Sequence, residues 1–402
     1  MMLLAVPCAW GGTLENALVD FSFTKFPENP IISPSLPSDP DFQSSDTRHC
    51  LHQCVRRKDD GSPYMMWYTG SPDVAPGGFS ERKIHLATSN DGVNFTKQGV
   101  VVSKTPGNLF FWDGVQVHMP TVIWHNNQWM MWYVGHNNGG SPGWYKIGLA
   151  TSQNGISWTK YGMVFDVNPD PNAFDSDTVR QPAVLFDPDD NLYRMWYNST
   201  DNSQEAFGPT GYAESPDGIN WTRIAQIADA PGHFGRRLEG NDVLKIGNVF
   251  HSFHNQGPYL SYAVSFDGIV WLDSPQSPVL VTTQNTWDRG YVQAPSVVYH
   301  PASGVLNLYY NGFQAFEQIG GVSTTFLPSP TGNYLADMDD DVDMEDHGLF
   351  QACLTAPAVA QLDPACSNAR LDADTDVDKE DTTLFLGCLS GANVTPPPAC
   401  AL

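Results

Sequence analysis

What most constrains this chain is a pattern that recurs along it at intervals of roughly 50 to 70 residues. Four stretches share an aromatic residue, a Thr and a base in that order: FTK at 23–25 and again at 95–97, WTK at 158–160 and WTR at 221–223. Ahead of the last three stand ATSNDG, ATSQNG and AESPDG, and ahead of those MWYTG, MWYVG and MWYNS. Two further units, around Phe253 and Tyr309, carry SFHNQG with AVSFDG and LYYNG with GGVSTT. Large apolar residues alternate with small or polar ones, the period of two that marks strands. Asp91-Gly92, Asn154-Gly155, Asp217-Gly218 and Asp267-Gly268 fall between the third and fourth strands of their units, where a two-residue hairpin would need positive φ at both positions.

Each unit therefore holds four strands, and five such units with no helical stretches between them predict an all-β, five-bladed β-propeller. The fifth unit reaches IGGVSTT at 319–325 and lacks a fourth strand, whereas the first FTK has no unit in front of it. Residues 19–25 are expected to supply the missing strand, which closes the ring and covers an open sheet edge. The division that follows is 1–15 as a signal-peptide remnant or disordered N-terminus, 16–325 as the propeller, 326–334 as a Pro/Ser/Gly linker and 335–402 as a small C-terminal module.

Composition agrees with this reading. The chain has 402 residues, 41% hydrophobic and 16% charged, enough for a large core plus a small module. Twelve Trp, 35 Gly and 31 Pro favour short strands and tight turns. A net charge of −24 argues against a nucleic-acid partner, which needs a basic face. No run of about 18 apolar residues is present to span a membrane. The start MMLLAVPCAWGG has the apolar character of a secretory h-region without a base ahead of it, and Cys353 with Cys366 and Cys388 with Cys400 occupy matching places in two similar segments. Both point to an exported chain in an oxidising compartment.

Aligned on their first strands, the units place Asp113, Asp175 and Asp288 in one column, with Asp46 in the same column of the first unit. Recurrence fits a role in the blade's own architecture; the three are also carried as candidates for substrate contact. Function is expected where blades differ. Five residues on, the units carry Leu51 (or His52 with a one-residue slip), His118, Arg180, Glu239 and Gln293, a polar ring about the axis. The fourth unit has lost the aspartate and gained Glu239, preceded by Arg236 and Arg237. A carboxyl among other acids has a raised pKa, as a general acid requires, and neighbouring arginines act in the opposite sense. Trp112, with Phe111, Trp144 and Trp287, is a candidate for stacking on a sugar face, against the alternative of packing between blades.

The MWYTG…ATSxDGxxW blades resemble the five-bladed glycosidase superfamily that includes glycoside hydrolase families 32, 43, 62, 68 and 130, over roughly residues 19–325. That resemblance implies carboxylate acid/base hydrolysis of a glycosidic bond. LEGND at 238–242 resembles the Glu-Gly-Pro motif of the acid, so Glu239 carries over as acid, Asp177 as the group that modulates it and Asp46 as base. Asp113, Asp175, Asp288, His118, Arg180, Arg237, Gln293 and Trp112 are then substrate-binding candidates. The chain departs from the pattern in its first inner strand, where RHCLHQCV stands in place of an Asp-Pro. An inverting site separates its two carboxyls by about 6.5 to 9.5 Å and a retaining one by about 5 to 5.5 Å. Alternatives are a non-catalytic carbohydrate-binding propeller, a sialidase-like enzyme, suggested by the SxDGxxW turns, and a mannoside-phosphorylase-like enzyme using Arg and His on phosphate.

After the linker, LADMDDDVDMEDHGLFQACL and RLDADTDVDKEDTTLFLGCL place Asp at alternate positions, Val at position eight and Asp at position twelve before an apolar run. This is the geometry of an EF-hand-like calcium loop. The ligand candidates are Asp337, Asp339, Asp343 and Asp346, then Asp372, Asp374, Asp378 and Asp381, with the carbonyls of Asp341 and Asp376. Position one is Leu335 or Arg370 and position six Asp340 or Thr375, so calcium affinity is expected to be reduced or the register shifted. The pair resembles a dockerin of the cysteine-containing type common in Planctomycetes, which implies Ca2+ and a cohesin-like or cell-surface partner; the matched cysteines would staple each helix to the segment after it.

Overall fold

The computed structural model describes residues 18–19, 21–58, 61–72, 81–140, 142–200, 208–229, 238–247, 249–301, 303–326, 354–355, 377 and 379–388. Their strands form five antiparallel sheets. Blade I runs His49–Arg56, Tyr64–Ser71, Lys83–Ser89 and Thr96–Val102; blade II runs Gln116–His125, Gln128–His136, Tyr145–Ser152 and Thr159–Phe165. Blade III holds Thr178–Asp187, Leu192–Thr200, Thr210–Ser215 and Thr222–Gln226. Blade IV holds Glu239–Ile246, Val249–Gln256, Tyr259–Ser265 and Val270–Asp273, with the short strand Ala228–Asp229 added in parallel at its outer edge. Blade V holds Tyr291–His300, Val305–Phe313 and Glu317–Thr325. Each first strand contacts the first strands of the blades before and after it, blade V meeting blade I, so the sheets stand radially around a closed axis.

The missing strand of blade V comes from the chain's beginning. Thr24–Lys25 pairs antiparallel with Glu317–Thr325, Thr24 opposite Ser323 and Lys25 opposite Val322. The FTK at 23–25 is thus the fourth strand of the last blade. Apolar residues fill the seams between blades: Trp67 of blade I packs with Val117 and Met131 of blade II, and Trp132 of blade II with Val179 and Met195 of blade III. Phe21 and Phe23 of the closing segment join the seam of blades IV and V.

The turns between third and fourth strands differ from the expected two-residue hairpins. Only the glycine is at positive φ: +78° at Gly92, +73° at Gly155, Gly218 and Gly268. The loop is instead folded by side chains. In blade III Ser215 Oγ accepts the N–H of Gly218, while Asp217 Oδ1 accepts those of Ile219 and Asn220, at 2.8 to 2.9 Å. This leaves the glycine carbonyl pointing into the seam with both lone pairs open. Gly155 O accepts the indole N–H of Trp158 in its own blade and of Trp67 in the blade before, at 3.0 and 2.9 Å. Gly218 is bound in the same way by Trp221 and Trp132, and Gly268 by Trp271 and Trp196. Between blades V and I the donor is Tyr309, whose hydroxyl reaches Gly92 O at 2.8 Å. Between blades IV and V no turn joins the third and fourth strands, because the fourth is the closing segment. There the equivalent aromatic is Phe253, which packs against Phe21 edge-on at 5.3 Å.

The aspartate column belongs to this scaffold. Asp46, Asp113, Asp175 and Asp288 are each fully buried. Each accepts the hydroxyl of a second-strand tyrosine, Tyr68, Tyr133, Tyr197 and Tyr310, and pairs with the base of the fourth strand, Lys97, Lys160, Arg223 and Lys25. The substrate-contact reading of Asp113, Asp175 and Asp288 and the catalytic reading of Asp46 are therefore corrected: these carboxylates bind the inner edge of a blade to its outer edge. Trp112 is corrected with them. It is 9% exposed and lies so close on Gly135 and Gly148 that a Cβ at either would meet its ring within 2.4 Å, so its ring packs against blade II rather than offering a face to a sugar. Cys50 and Cys54 are free buried thiols of blade I's first strand.

Lys25→Met should strand Asp288 as a buried unpaired charge and cost about 3 kcal/mol. Urea denaturation should show a lowered midpoint with unchanged slope; a shift of under 0.5 kcal/mol would contradict the closure described here. Acid should act through buried imidazoles. Burial holds His85 down to about 4 and His251 to about 3, so both are neutral when folded. Their contribution is complete above the unfolded value near 6.5 and is lost as pH falls toward 4 and 3, since the unfolded chain then binds the extra protons. Stability should decline from about pH 6.5 downward, by at most about 1.4 kcal/mol per pH unit for each histidine. His251→Gln should flatten that slope.

Candidate active site

Every first strand carries one bulge at an equivalent place. Pairing with the second strand breaks between Leu51 and Cys54, His118 and Thr121, Arg180 and Ala183, Glu239 and Asp242, and Gln293 and Ser296. The residue after each break point has positive φ: His52, Met119, Gln181, Gly240 and Ala294, between 49° and 55°. A side chain in that region is strained, so something must hold it. The preceding blade does so. The N–H groups of His52, Met119, Gly240 and Ala294 are accepted by Asn311, Thr69, Asn198 and Asn255, at 2.7 to 3.0 Å. Bulges of this kind re-aim neighbouring side chains, here those flanking the axis. The column settles the register of blade I: Leu51 occupies the ring position and His52 the bulge.

The ring thus comprises Leu51, His118, Arg180, Glu239 and Gln293. Leu51 and His118 are buried; Arg180, Glu239 and Gln293 are partly exposed. Glu239 lies close enough to Arg180 to oppose the effect of burial, which lowers the guanidinium's pKa. Gln293 Nε2 donates to Gly257 O at 2.8 Å. Asp177 stands one residue before blade III's first strand, where its Oδ2 accepts the Thr200 hydroxyl at 3.2 Å and its carbonyl the N–H of Gly143 at 2.7 Å. Arg237 and the calcium-ligand candidates other than Asp381 lie outside the described residues. Asp381 is buried near the start of the helix Lys379–Cys388, and Val377 just ahead of it exchanges hydrogen bonds with Thr355.

The blades also differ where their third strands begin, which a comparison of first strands alone does not show. Blade I has Arg82 there, blade II Tyr145 and blade V Glu317. These residues share the axial end with the ring. His52 is held down to about 3, by burial first and by Arg82 and Arg180, with Glu317 acting in the opposite sense. His118 is held well below the ordinary histidine range by burial, then by Arg82, His52, His136 and Arg180. Groups from every blade therefore lie within electrostatic reach at one mouth of the axis. Both histidines are neutral near pH 7, so the positive charge at this mouth is that of Arg82 and Arg180.

Glu317 has the most elaborate setting. Burial disfavours its charge, but hydrogen bonds from His49 and Tyr291 outweigh burial and bring its pKa to about 2. Tyr291 Oη donates to Glu317 Oε1 at 2.8 Å, and His49 Nδ1 contacts Oε2. Farther along the axis Arg56 closes the channel. Its guanidinium grips Asp242 of blade IV through two hydrogen bonds of 2.9 Å and also donates to Val122 O of blade II and Val297 O of blade V.

Comparison with known proteins adds identity to this geometry. The model of the glycosyl hydrolases family 32 N-terminal domain matches residues 61–292, more than half of the chain. An uncharacterized protein of Mycobacterium tuberculosis (strain CDC 1551 / Oshkosh) is 29% identical over 154 residues, 38% of this chain and 46% of its own length. This chain thus spans about half the length of that curated relative. Among solved structures, a glycoside hydrolase superposes with a TM-score of 0.56 at 18% identity over 73% of this chain and 90% of its own. The beta-1,2-mannobiose phosphorylase from Listeria innocua does so with 0.56 at 14% identity, over 75% and 96%. These likenesses show a shared fold. The match over 61–292 includes His118, Arg180 and Glu239, and on its extent the chain belongs to the glycosyl hydrolases family 32 N-terminal domain family.

Proposed function

We propose that this protein is a glycoside hydrolase that takes its substrate at the open mouth of the axis and cleaves a glycosidic bond by carboxylate acid/base catalysis with inversion. The observation that carries this reading is the placement of Glu239 beside Arg180 on the axial rim, where the equivalent positions of other blades hold Leu51, His118 and Gln293. Protonated Glu239 would give its proton to the departing glycosidic oxygen. Charge then develops on the carboxylate next to a guanidinium, so Arg180 stabilises the product of the transfer and strengthens the acid. Asp177, three residues before Arg180 in the chain, is assigned as the group that adjusts that balance. Family membership supports this class of chemistry, and the polar ring about the axis suits a saccharide end.

The substrate in this reading is a plant- or algal-type oligo- or polysaccharide, and the chain works outside the cell. Its support is the lead sequence MMLLAVPCAWGG and the paired cysteines of the C-terminal segment. Residues 335–402 would bind Ca2+ through the duplicated aspartate pattern and dock to a cohesin-like or surface partner. The phosphorylase-fold neighbour keeps one other reading in view, with Arg82 and Arg180 on phosphate; it is separated by whether phosphate is consumed.

Activity should be sought on arabino-, xylo-, fructo- and mannosyl substrates with and without inorganic phosphate. Glu239→Gln should lower kcat on poor leaving groups by at least a hundredfold. Its loss should be smaller on dinitrophenyl glycosides, which leave without a proton, and sugar binding should persist. Equal turnover of wild type and variant on an unactivated glycan would remove Glu239 from the mechanism.

A further inference from the structure

We infer that Trp144 of blade II is an aromatic platform for a sugar ring beyond the bond that is cleaved, so that the site takes a saccharide chain rather than a single glycoside. The inference rests on the glycosidase reading above and names the form of its substrate. Of the four aromatics that the sequence offers for stacking, Trp112 and Trp287 pack on glycines of their own blades, Gly135 with Gly148 and Gly312 with Gly320. The other two keep an open surface: Phe111 is 44% exposed and Trp144 42%. A large aromatic face left in water gains by being covered, and such a face beside a polar site points to a ligand.

Direct contacts tie Trp144 to the axial ring. Between ring centroids, its indole lies 6.0 Å from His136, His136 lies 4.8 Å from Tyr145, and Tyr145 lies 5.5 Å from His118. The row starts at an exposed indole and ends at a residue of the axial ring. His118 is buried and only ends the row; the surface offered to a ligand is that of Trp144, with His136 and Tyr145 half-buried behind it.

The backbone that carries the indole is held from several sides. Asn137 donates its N–H to Trp144 O at 3.2 Å and its side-chain amide to Gly143 O at 3.1 Å. Gly143 N–H donates to Asp177 O of blade III at 2.7 Å. Asn138 N–H donates to Leu109 O at 2.8 Å, in the loop that also bears the exposed Phe110 and Phe111. His136 is fixed as well: Gln116 Nε2 donates to its Nδ1 at 3.2 Å, while Gln116 Oε1 accepts the N–H of Arg82. A stacking surface set in place before its ligand arrives loses less freedom on binding. A sugar presents C–H groups on its face and hydroxyls around its edge, which suits an electron-rich indole face with polar groups beside it. The continuity of this row with the axial ring favours a chain as occupant, one sugar at the ring and a later one over Trp144.

The test compares wild type, Trp144→Ala and Trp144→Tyr on arabino-, xylo-, fructo- and manno-oligosaccharides from disaccharide to pentasaccharide. Turnover is followed directly, binding is measured by calorimetry with Glu239→Gln added to each protein, and melting temperature checks the fold. Trp144→Ala should lose about tenfold in affinity and in kcat/KM on the pentasaccharide and a smaller factor on the disaccharide. Trp144→Tyr, which keeps a ring, should recover most of that loss. A ratio of wild-type to Trp144→Ala affinity that does not grow with chain length, in a protein that cleaves glycosides, overturns this inference and leaves the glycosidase reading standing. A fall of more than about 5 °C in the melting temperature of both variants, the mark of an indole covered by protein, also overturns it. Chain-length-dependent binding that Trp144→Ala weakens, in a wild type that cleaves no glycoside, supports the platform and overturns the hydrolase reading instead. A wild type that neither binds nor cleaves these saccharides overturns both.

Discussion

The scaffold depends on a buried aspartate at the root of a blade, bound at once to a tyrosine of the second strand and a base of the fourth. A carboxylate removed from water costs several kcal/mol unless charge and hydrogen bonds replace the lost hydration. Here both replacements come from strands farther out, so inner and outer edges of one sheet are tied through its interior. Blade IV shows the rule by its exception. Where others have Tyr followed by a basic fourth strand, it has His254 and Asp273, 3.6 Å apart. The acid has moved to the outer strand and the partner has changed with it. The root of blade IV is thereby released from the pattern, and Glu239 follows there.

A second constraint acts between blades. Indole N–H groups of one blade reach the turn glycine of the next, and side-chain oxygens of one blade hold the strained bulge of its neighbour. Each such bond is worth about 1 kcal/mol, and an unmet buried donor costs more. The positions that define the axial mouth are accordingly fixed from behind, by residues that never face it. This separates scaffold from site: blades agree in their Asp, Tyr and Trp columns and differ at the rim.

Much of the fold is legible in the chain, because its signals are repeated. The period of two, the four strands per unit and the orphan FTK at 23–25 all follow from likeness among units. Glu239 and Arg180 are legible as departures within one aligned column. Asp46 misleads for the same reason that the repeat is readable: it is a faithful copy of a structural residue, and only burial and its partners show that. Trp112 misleads in the same way, since the two glycines it covers come from other strands. Glu317 is hidden because it departs within the third-strand column, where the eye is drawn to small residues, and because its partners His49 and Tyr291 are distant in sequence. The hairpin expectation fails where Ser and Asp side chains do the folding usually left to backbone conformation.

The Arg56–Asp242 pair has one more consequence. By spanning from blade I to blade IV and touching blades II and V, it stops the channel as a bung stops a pipe. Blades I, II, IV and V therefore cannot part at the axis without breaking this pair, and a charge left unpaired where Asp242 is buried costs about 3 to 5 kcal/mol.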